Sequence, residues 1–93
     1  SNIIGGEALG DKKLLVVFTS YYFGDKADKI LTELSVPHQL MATPLELNDM
    51  CGLSIQIEPT IVNRVQTALK EHKISTSGLF WYEKGKPAVA YVS

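Results

Sequence analysis

The spacing of apolar residues changes along the chain, and each change marks a predicted element. The run from Leu14 to Phe18 is apolar at every position, which is typical of a central strand covered on at least one face. Apolar residues then recur at helical spacing, with charged residues between them: Phe23, Ala27, Ile30, Leu31 and Leu34. This helix is predicted to begin around Phe23 or Gly24 and to end at Ser35, because Pro37 favours extended backbone in the residue before it.

A second and a third strand are predicted on either side of a polar loop. The second runs from His38 to Thr43, and Pro44 ends it. The loop that follows continues to Met50, with one helical turn as an option. After Gly52, three apolar residues alternate with polar ones, as in a half-buried strand: Leu53, Ile55 and Ile57.

The C-terminal part of the sequence predicts one more helix and a hairpin. Pro59 suits the first position of a helix, which is predicted to end near Lys73. Its apolar face is formed by Ile61, Val62, Val65, Ala68 and Leu69. A strand is predicted over Gly78 to Glu83, and a turn follows over Lys84 to Lys86. A short returning strand is predicted over Ala88 to Val92.

The predicted order of elements is βαββαβ with an additional C-terminal strand. This order is that of an α+β, ferredoxin-like split βαβ sandwich, with an antiparallel sheet and two helices on one face. Right-handed connections place the first and third strands in the centre of the sheet. We predict one domain over residues 13–93, preceded by a flexible arm over residues 1–12, in which Ser1 and Asn2 resemble the remnant of an expression tag.

This topology predicts which loops meet. If the first strand points up, the second strand also ends at the top of the sheet, and the second helix ends there as well. Three segments should therefore converge at that edge: Thr19 to Gly24, Thr43 to Gly52, and Lys70 to Gly78. The predicted topology places Cys51 beside the start of the first helix and the end of the second.

Composition excludes several classes of function. The formal net charge of -1 and the scattered lysines provide no basic field, so we predict no nucleic-acid partner. No apolar run reaches the about 20 residues that a membrane-spanning helix needs, and the chain is predicted to be cytoplasmic. One cysteine forms no internal disulfide, and two isolated histidines do not complete a zinc site. We therefore predict neither a metal nor a cofactor.

Cys51 is the candidate reactive residue. A thiolate is the nucleophilic form of cysteine, and a nearby helix N-terminus or cation increases its proportion. Thr19 and Ser20 precede the first helix, while His72 and Lys73 stand at the end of the second. We therefore include these four residues in the candidate site. A buried cysteine that packs as a small hydrophobe is the alternative, and the residues alone leave it open.

The segment TPLELNDMCGLSIQI resembles the selenium/sulfur (Se/S) carrier protein-like family of small bacterial domains. The features that carry the resemblance are Thr43 and Pro44, followed several residues later by Cys51 and Gly52 and then by an apolar strand. The similar arrangement covers about residues 13 to 83. The chain departs from the family pattern at Leu45, where a basic residue often follows the Thr-Pro pair, and at Asn48 and Asp49, where small hydroxyl residues are usual.

The resemblance implies a carrier that relays sulfur or selenium on Cys51 as a persulfide or selenopersulfide. Donor and acceptor proteins would be its partners, and Thr43, Pro44 and Gly52 would accompany the cysteine in the site. This interpretation favours a carrier or binding protein over a stand-alone enzyme. The alternative is a ligand-sensing or protein-interaction module with a structural cysteine, which could form homodimers through the open sheet face or an edge strand.

Overall fold

The computed structural model describes residues 12–47, 50 and 52–92. Cys51 and nearly all of the predicted N-terminal arm lie outside the described residues, as do Asn48 and Asp49. The predictions made for them therefore stay predictions.

Five strands and two helices make up the described part of the chain. The strands are β1 (Lys13–Phe18), β2 (Gln39–Ala42), β3 (Leu53–Ile57), β4 (Thr76–Tyr82) and β5 (Val89–Ala90). The helices are α1 (Tyr21–Glu33) and α2 (Val62–Glu71), and short 3-10 turns lie at Leu45–Leu47 and Pro59–Ile61. All neighbouring strands are antiparallel, in the order β2-β3-β1-β4-β5. The predicted α+β fold, with β1 and β3 inside the sheet, is confirmed.

Both helices cover the same face of the sheet. Alternate residues of a strand point to one face, and Leu14, Val16 and Phe18 of β1 all belong to one buried cluster. The same cluster takes in the buried residues of both helices and of β3: Ala27, Ile30, Leu31, Val62, Val65, Ala68, Leu69, Ile55 and Ile57. This shared core holds both helices on one face of the sheet.

The opposite face of β1 is buried as well. Leu15 and Val17 have no exposed surface. Phe80 of β4 lies opposite Leu15, and its ring lies so close to Gly78 that a Cβ atom there would be 2.7 Å from Phe80 Cε1. An aromatic side chain thus lies along the sheet on the face without helices, which agrees with the uninterrupted apolar run of β1.

Each helix ends in the same backbone geometry. Ser35 and Lys73 have positive φ angles of 57° and 56°. Just beyond Lys73, the Ile74 N–H donates to the Leu69 carbonyl at 2.9 Å. After Ser35, the Val36 N–H donates to the Leu31 carbonyl at 2.8 Å. This is the pattern in which a residue in the left-handed region closes a helix, a position that glycine occupies most often. The predicted helix ends near Ser35 and Lys73 are confirmed.

Replacing Lys73 by glycine should raise the free energy of unfolding by about 1 kcal/mol, because a residue with a Cβ atom is strained at a left-handed φ. Urea denaturation would measure the change. Lys70 provides the matched control: it lies inside the last turn of α2, where the same substitution should cost about 1 kcal/mol. Destabilisation by Lys73→Gly would contradict the assigned helix end.

Some predicted boundaries were wrong. Helix α1 begins at Tyr21, earlier than Phe23 or Gly24, because Ser20 caps it. Strand β4 begins at Thr76 instead of Gly78, and an irregularity in its pairing with β1 occurs between Val17 and Phe18. The one helical turn proposed for the loop before Met50 is present at Leu45–Leu47.

Candidate functional site

The structure brings three connections together at one end of the sheet, where the strands begin or end. The Thr19 N–H donates to the Ser75 carbonyl at 3.3 Å, which joins the β1–α1 turn to the connection between α2 and β4. The Thr43 N–H donates to the Gly52 carbonyl at 2.8 Å, which closes the β2–β3 loop. This loop also lies beside the start of α1, because a Cβ atom at position 52 would be 2.6 Å from the Tyr21 hydroxyl oxygen. The described residues of the three segments therefore converge as predicted, and we call this region the loop edge.

Ser20 acts as a helix cap at the loop edge. Its backbone is extended, and its Oγ accepts a hydrogen bond from the Phe23 N–H at 3.2 Å. The Gly24 N–H also donates to the Ser20 carbonyl at 3.1 Å. The Ser20 side chain thus satisfies a backbone donor of the first turn, the Phe23 N–H, which would otherwise lack a partner. Thr19 is exposed beside it, and its hydroxyl lies 3.4 Å from the Ser75 carbonyl.

Thr43 and Pro44 shape the start of the β2–β3 loop. The Thr43 hydroxyl lies 2.6 Å from the Ser54 hydroxyl, and Ser54 has no exposed surface. A buried polar group is costly unless it is hydrogen-bonded, so this pair holds the end of β2 against β3. The Pro44 carbonyl accepts a bond from the Leu47 N–H at 2.9 Å, which begins the helical turn. Both residues thus position the loop through their own contacts.

Gly52 leaves room for Tyr21. A Cβ atom at position 52 would lie 2.6 Å from the Tyr21 hydroxyl oxygen, which is closer than real Cβ contacts. Gly52 does not have a positive φ; in the described residues, Gly85 is the glycine that does. Because the Tyr21 hydroxyl is the far end of an exposed side chain, a side chain at position 52 would displace the tyrosine from its place against Gly52.

A second close approach, at Gly24, escaped the sequence analysis. A Cβ atom there would lie 2.5 Å from Leu53 Cδ2 and 3.3 Å from Phe18 Cδ2. The first turns of α1 therefore rest directly on the start of β3, next to Gly52. A glycine inside a helix costs about 1 kcal/mol relative to alanine, and its presence within the apolar pattern was the signal that a neighbour comes close.

His72 and Lys73 lie where α2 ends, on the loop-edge side of the sheet. The His72 N–H donates to the Ala68 carbonyl and the Lys73 N–H to the Lys70 carbonyl, each at 3.1 Å. Within the described part of the chain, neither side chain makes a hydrogen bond or an ion pair. The structure thus places both near the connection that meets Thr19, but shows neither in contact with Thr43 or Gly52.

The other histidine belongs to the opposite end of the sheet. His38 Nδ1 lies 2.7 Å from the Val36 carbonyl oxygen, and Nε2 lies 2.7 Å from Asp28 Oδ1. This side chain ties α1 to the start of β2 and is a structural residue. Among the described residues, no group of three or more histidine, cysteine, aspartate and glutamate side chains could hold a metal ion.

The loop edge carries large exposed apolar side chains. Tyr21 and Tyr22 at the start of α1 are 65% and 67% exposed, and Leu45 in the β2–β3 loop is 87% exposed. Lys26 Nζ lies 6.0 Å from the centre of the Tyr22 ring. Such side chains gain from being covered by another surface. The sequence marked Leu45 only as a departure from the family pattern, and its exposure required the structure.

The described residues thus form a small α+β domain with large exposed apolar side chains at its loop edge. The chain belongs to the family described as "Putative Se/S carrier protein-like", whose model matches residues 13–80. No curated protein and no solved structure matches the chain significantly. Among the described residues, no helix is both long enough and apolar enough to cross a lipid bilayer.

Proposed function

We propose that the protein carries sulfur or selenium on Cys51 and passes it from a donor protein to an acceptor protein. The observation that carries the proposal is membership of the Se/S carrier protein-like family over residues 13–80. The chain has a single cysteine, and it directly precedes Gly52. A carrier needs one nucleophilic thiol when its partners supply the other reacting groups.

The transfer is an exchange between thiols and persulfides. The Cys51 thiolate attacks the terminal sulfur of a persulfide on the donor. A new S–S bond forms at Cys51, the S–S bond of the donor breaks, and the inner sulfur of the donor leaves as a thiolate. Discharge repeats this exchange, with an acceptor thiolate attacking the terminal sulfur on Cys51. Electrons and atoms balance without an external oxidant. Selenium in the terminal position follows the same sequence.

The surroundings of Gly52 support this role. Tyr21 lies against Gly52, and the exposed side chains of Tyr22 and Leu45 belong to the neighbouring segments of the loop edge. A donor or acceptor must bring its own reactive group to the residue beside Gly52, and apolar side chains that are exposed in the free protein can be buried in such a complex. We propose that these side chains form the contact surface for the partners.

We assign supporting roles to the remaining candidates. Ser20 caps α1, and Thr43 and Pro44 fix the loop that leads to Cys51. Lys73 is proposed to contribute positive charge at the loop edge, which favours a thiolate over a thiol, and His72 lies beside it at the end of α2. Thr19 links the two connections through the Ser75 carbonyl.

Alkylation distinguishes a presented thiol from a packed one. We expect Cys51 to react with iodoacetamide in the folded protein at least as fast as in the urea-unfolded chain, because a presented thiolate is accessible before unfolding. Intact-mass spectrometry over a time course would give both rates. Lys73→Gly provides a second comparison: it should slow alkylation of the folded protein only, since the cation is lost. Protection of Cys51 until the chain unfolds would favour the interaction module with a structural cysteine.

A further inference from the structure

The two edges of the sheet differ in how they are protected. Strand β5 at one edge has two residues, Val89–Ala90, and it follows a turn that contains Lys84, Lys86 and Pro87. Short strands, lysines and prolines are the usual means of preventing an edge from pairing with another chain. Strand β2 at the other edge has the sequence QLMA, and residues 39–45 carry no charge. Prolines also flank β2, at Pro37 and Pro44, but the strand itself contains neither a proline nor a charged residue. These features leave its outer backbone groups available for pairing.

The hydrogen-bond register shows which backbone groups of β2 point outward. Thr43 bonds to Gly52, and this pair continues the register in which Met41 lies opposite Ser54 and Gln39 opposite Gln56. Hydrogen-bonded and non-bonded pairs alternate in an antiparallel ladder. The N–H and C=O groups of Leu40 and Ala42 therefore point away from β3, and no described residue bonds to them there.

We propose that β2 pairs with β2 of a second copy of this chain, in antiparallel orientation, to form a two-fold symmetric dimer with one continuous sheet. An antiparallel strand is complementary to itself across a two-fold axis. In the register centred on Met41, Leu40 of each copy faces Ala42 of the other, and every outward N–H of these residues meets an outward C=O. The uncharged stretch around β2 brings no like charges together across the axis.

Apolar exposure at the same edge favours this occupant. Leu40 in β2 is 41% exposed. Pairing would cover part of Leu40 in addition to satisfying the backbone groups. Because a strand of this length offers a small contact, the dimer is expected to be weak and to depend on protein concentration. The proposal is independent of the carrier role of Cys51.

Two alanines allow a matched test of the edges. Ala42 has its N–H directed outward from β2. In β5, Tyr91 bonds to Leu79, and Ala90 lies opposite Phe80, so the Ala90 N–H points outward at the other edge. Sedimentation velocity over a dilution series should show a monomer–dimer equilibrium for the wild type. Ala42→Pro should weaken it at least about ten-fold, and Ala90→Pro should leave it unchanged, because only the former removes N–H donors from the interface.

Introducing a charge at Met41 tests the symmetry without proline. In the proposed register Met41 faces the same residue of the second copy, so Met41→Lys and Met41→Glu should each weaken the dimer through like-charge repulsion. An equimolar mixture of the two variants should associate again as a heterodimer. A wild type that stays monomeric up to millimolar concentration, dissociation by Ala90→Pro, or failure of the mixture to associate would each overturn the proposal.

Discussion

Replacing Phe18 by alanine is expected to lower the free energy of unfolding by about 3–5 kcal/mol. Phe18 is fully buried at the end of β1, and its ring approaches the site where Gly24 admits the first turns of α1. The substitution would therefore leave a cavity between the sheet and the start of the helix. Urea denaturation followed by circular dichroism would measure the loss.

Tyr22 provides the control for this substitution. It lies four residues after Phe18 in the sequence and is 67% exposed. Its ring is in edge contact with the ring of Phe23, at 5.3 Å between centroids. Tyr22→Ala removes an aromatic side chain of similar size without opening a core cavity, and should cost no more than about 1 kcal/mol. Equal losses for the two variants would show that the core is not organised around Phe18.

The arrangement of strands and helices was predictable because the apolar spacing is unambiguous. The uninterrupted apolar run of β1 and the alternation in β3 each allow one placement in a sheet, and the order of elements then fixes the topology. The cap at Ser20 was also readable, since serine before a helical pattern is a common start signal. The start of α1 was nevertheless predicted two or three residues too late, because the two tyrosines after Ser20 have low intrinsic helix propensity.

The contacts that shape the loop edge depend on tertiary packing, and the local sequence pattern does not specify which residues meet. Gly24 meets Leu53 and Gly52 meets Tyr21, and each pair is far apart in the chain. The pairing of β4 with β1 likewise begins at Thr76, two residues before Gly78, where the sequence predicted the strand to start. In the candidate site, the positions of Thr43, Ser20 and Gly52 followed from topology, whereas their partners required the structure.

The fold should make Cys51 a far better acceptor of sulfur than an ordinary surface cysteine. Moving the only thiol with the double substitution Cys51→Ser and Lys84→Cys tests this, because Lys84 is exposed in the turn after β4. Strand β4 runs from Thr76 beside Phe18 to Tyr82 beside Lys13, so that turn lies at the opposite end of the sheet from the loop edge. We expect the relocated thiol to be loaded at least about ten-fold more slowly, a difference of about 1.4 kcal/mol in the barrier.

The most direct measurement is intact-mass spectrometry of the protein after incubation with a cysteine desulfurase and cysteine, or with a selenocysteine lyase and selenocysteine, in the absence of reductant. The carrier account predicts that the wild type gains the mass of a sulfur or selenium atom, that the gain is reversed by dithiothreitol, and that the variant with its thiol at position 84 lags behind. No mass gain from either donor, or equal loading of the two thiols, would contradict it.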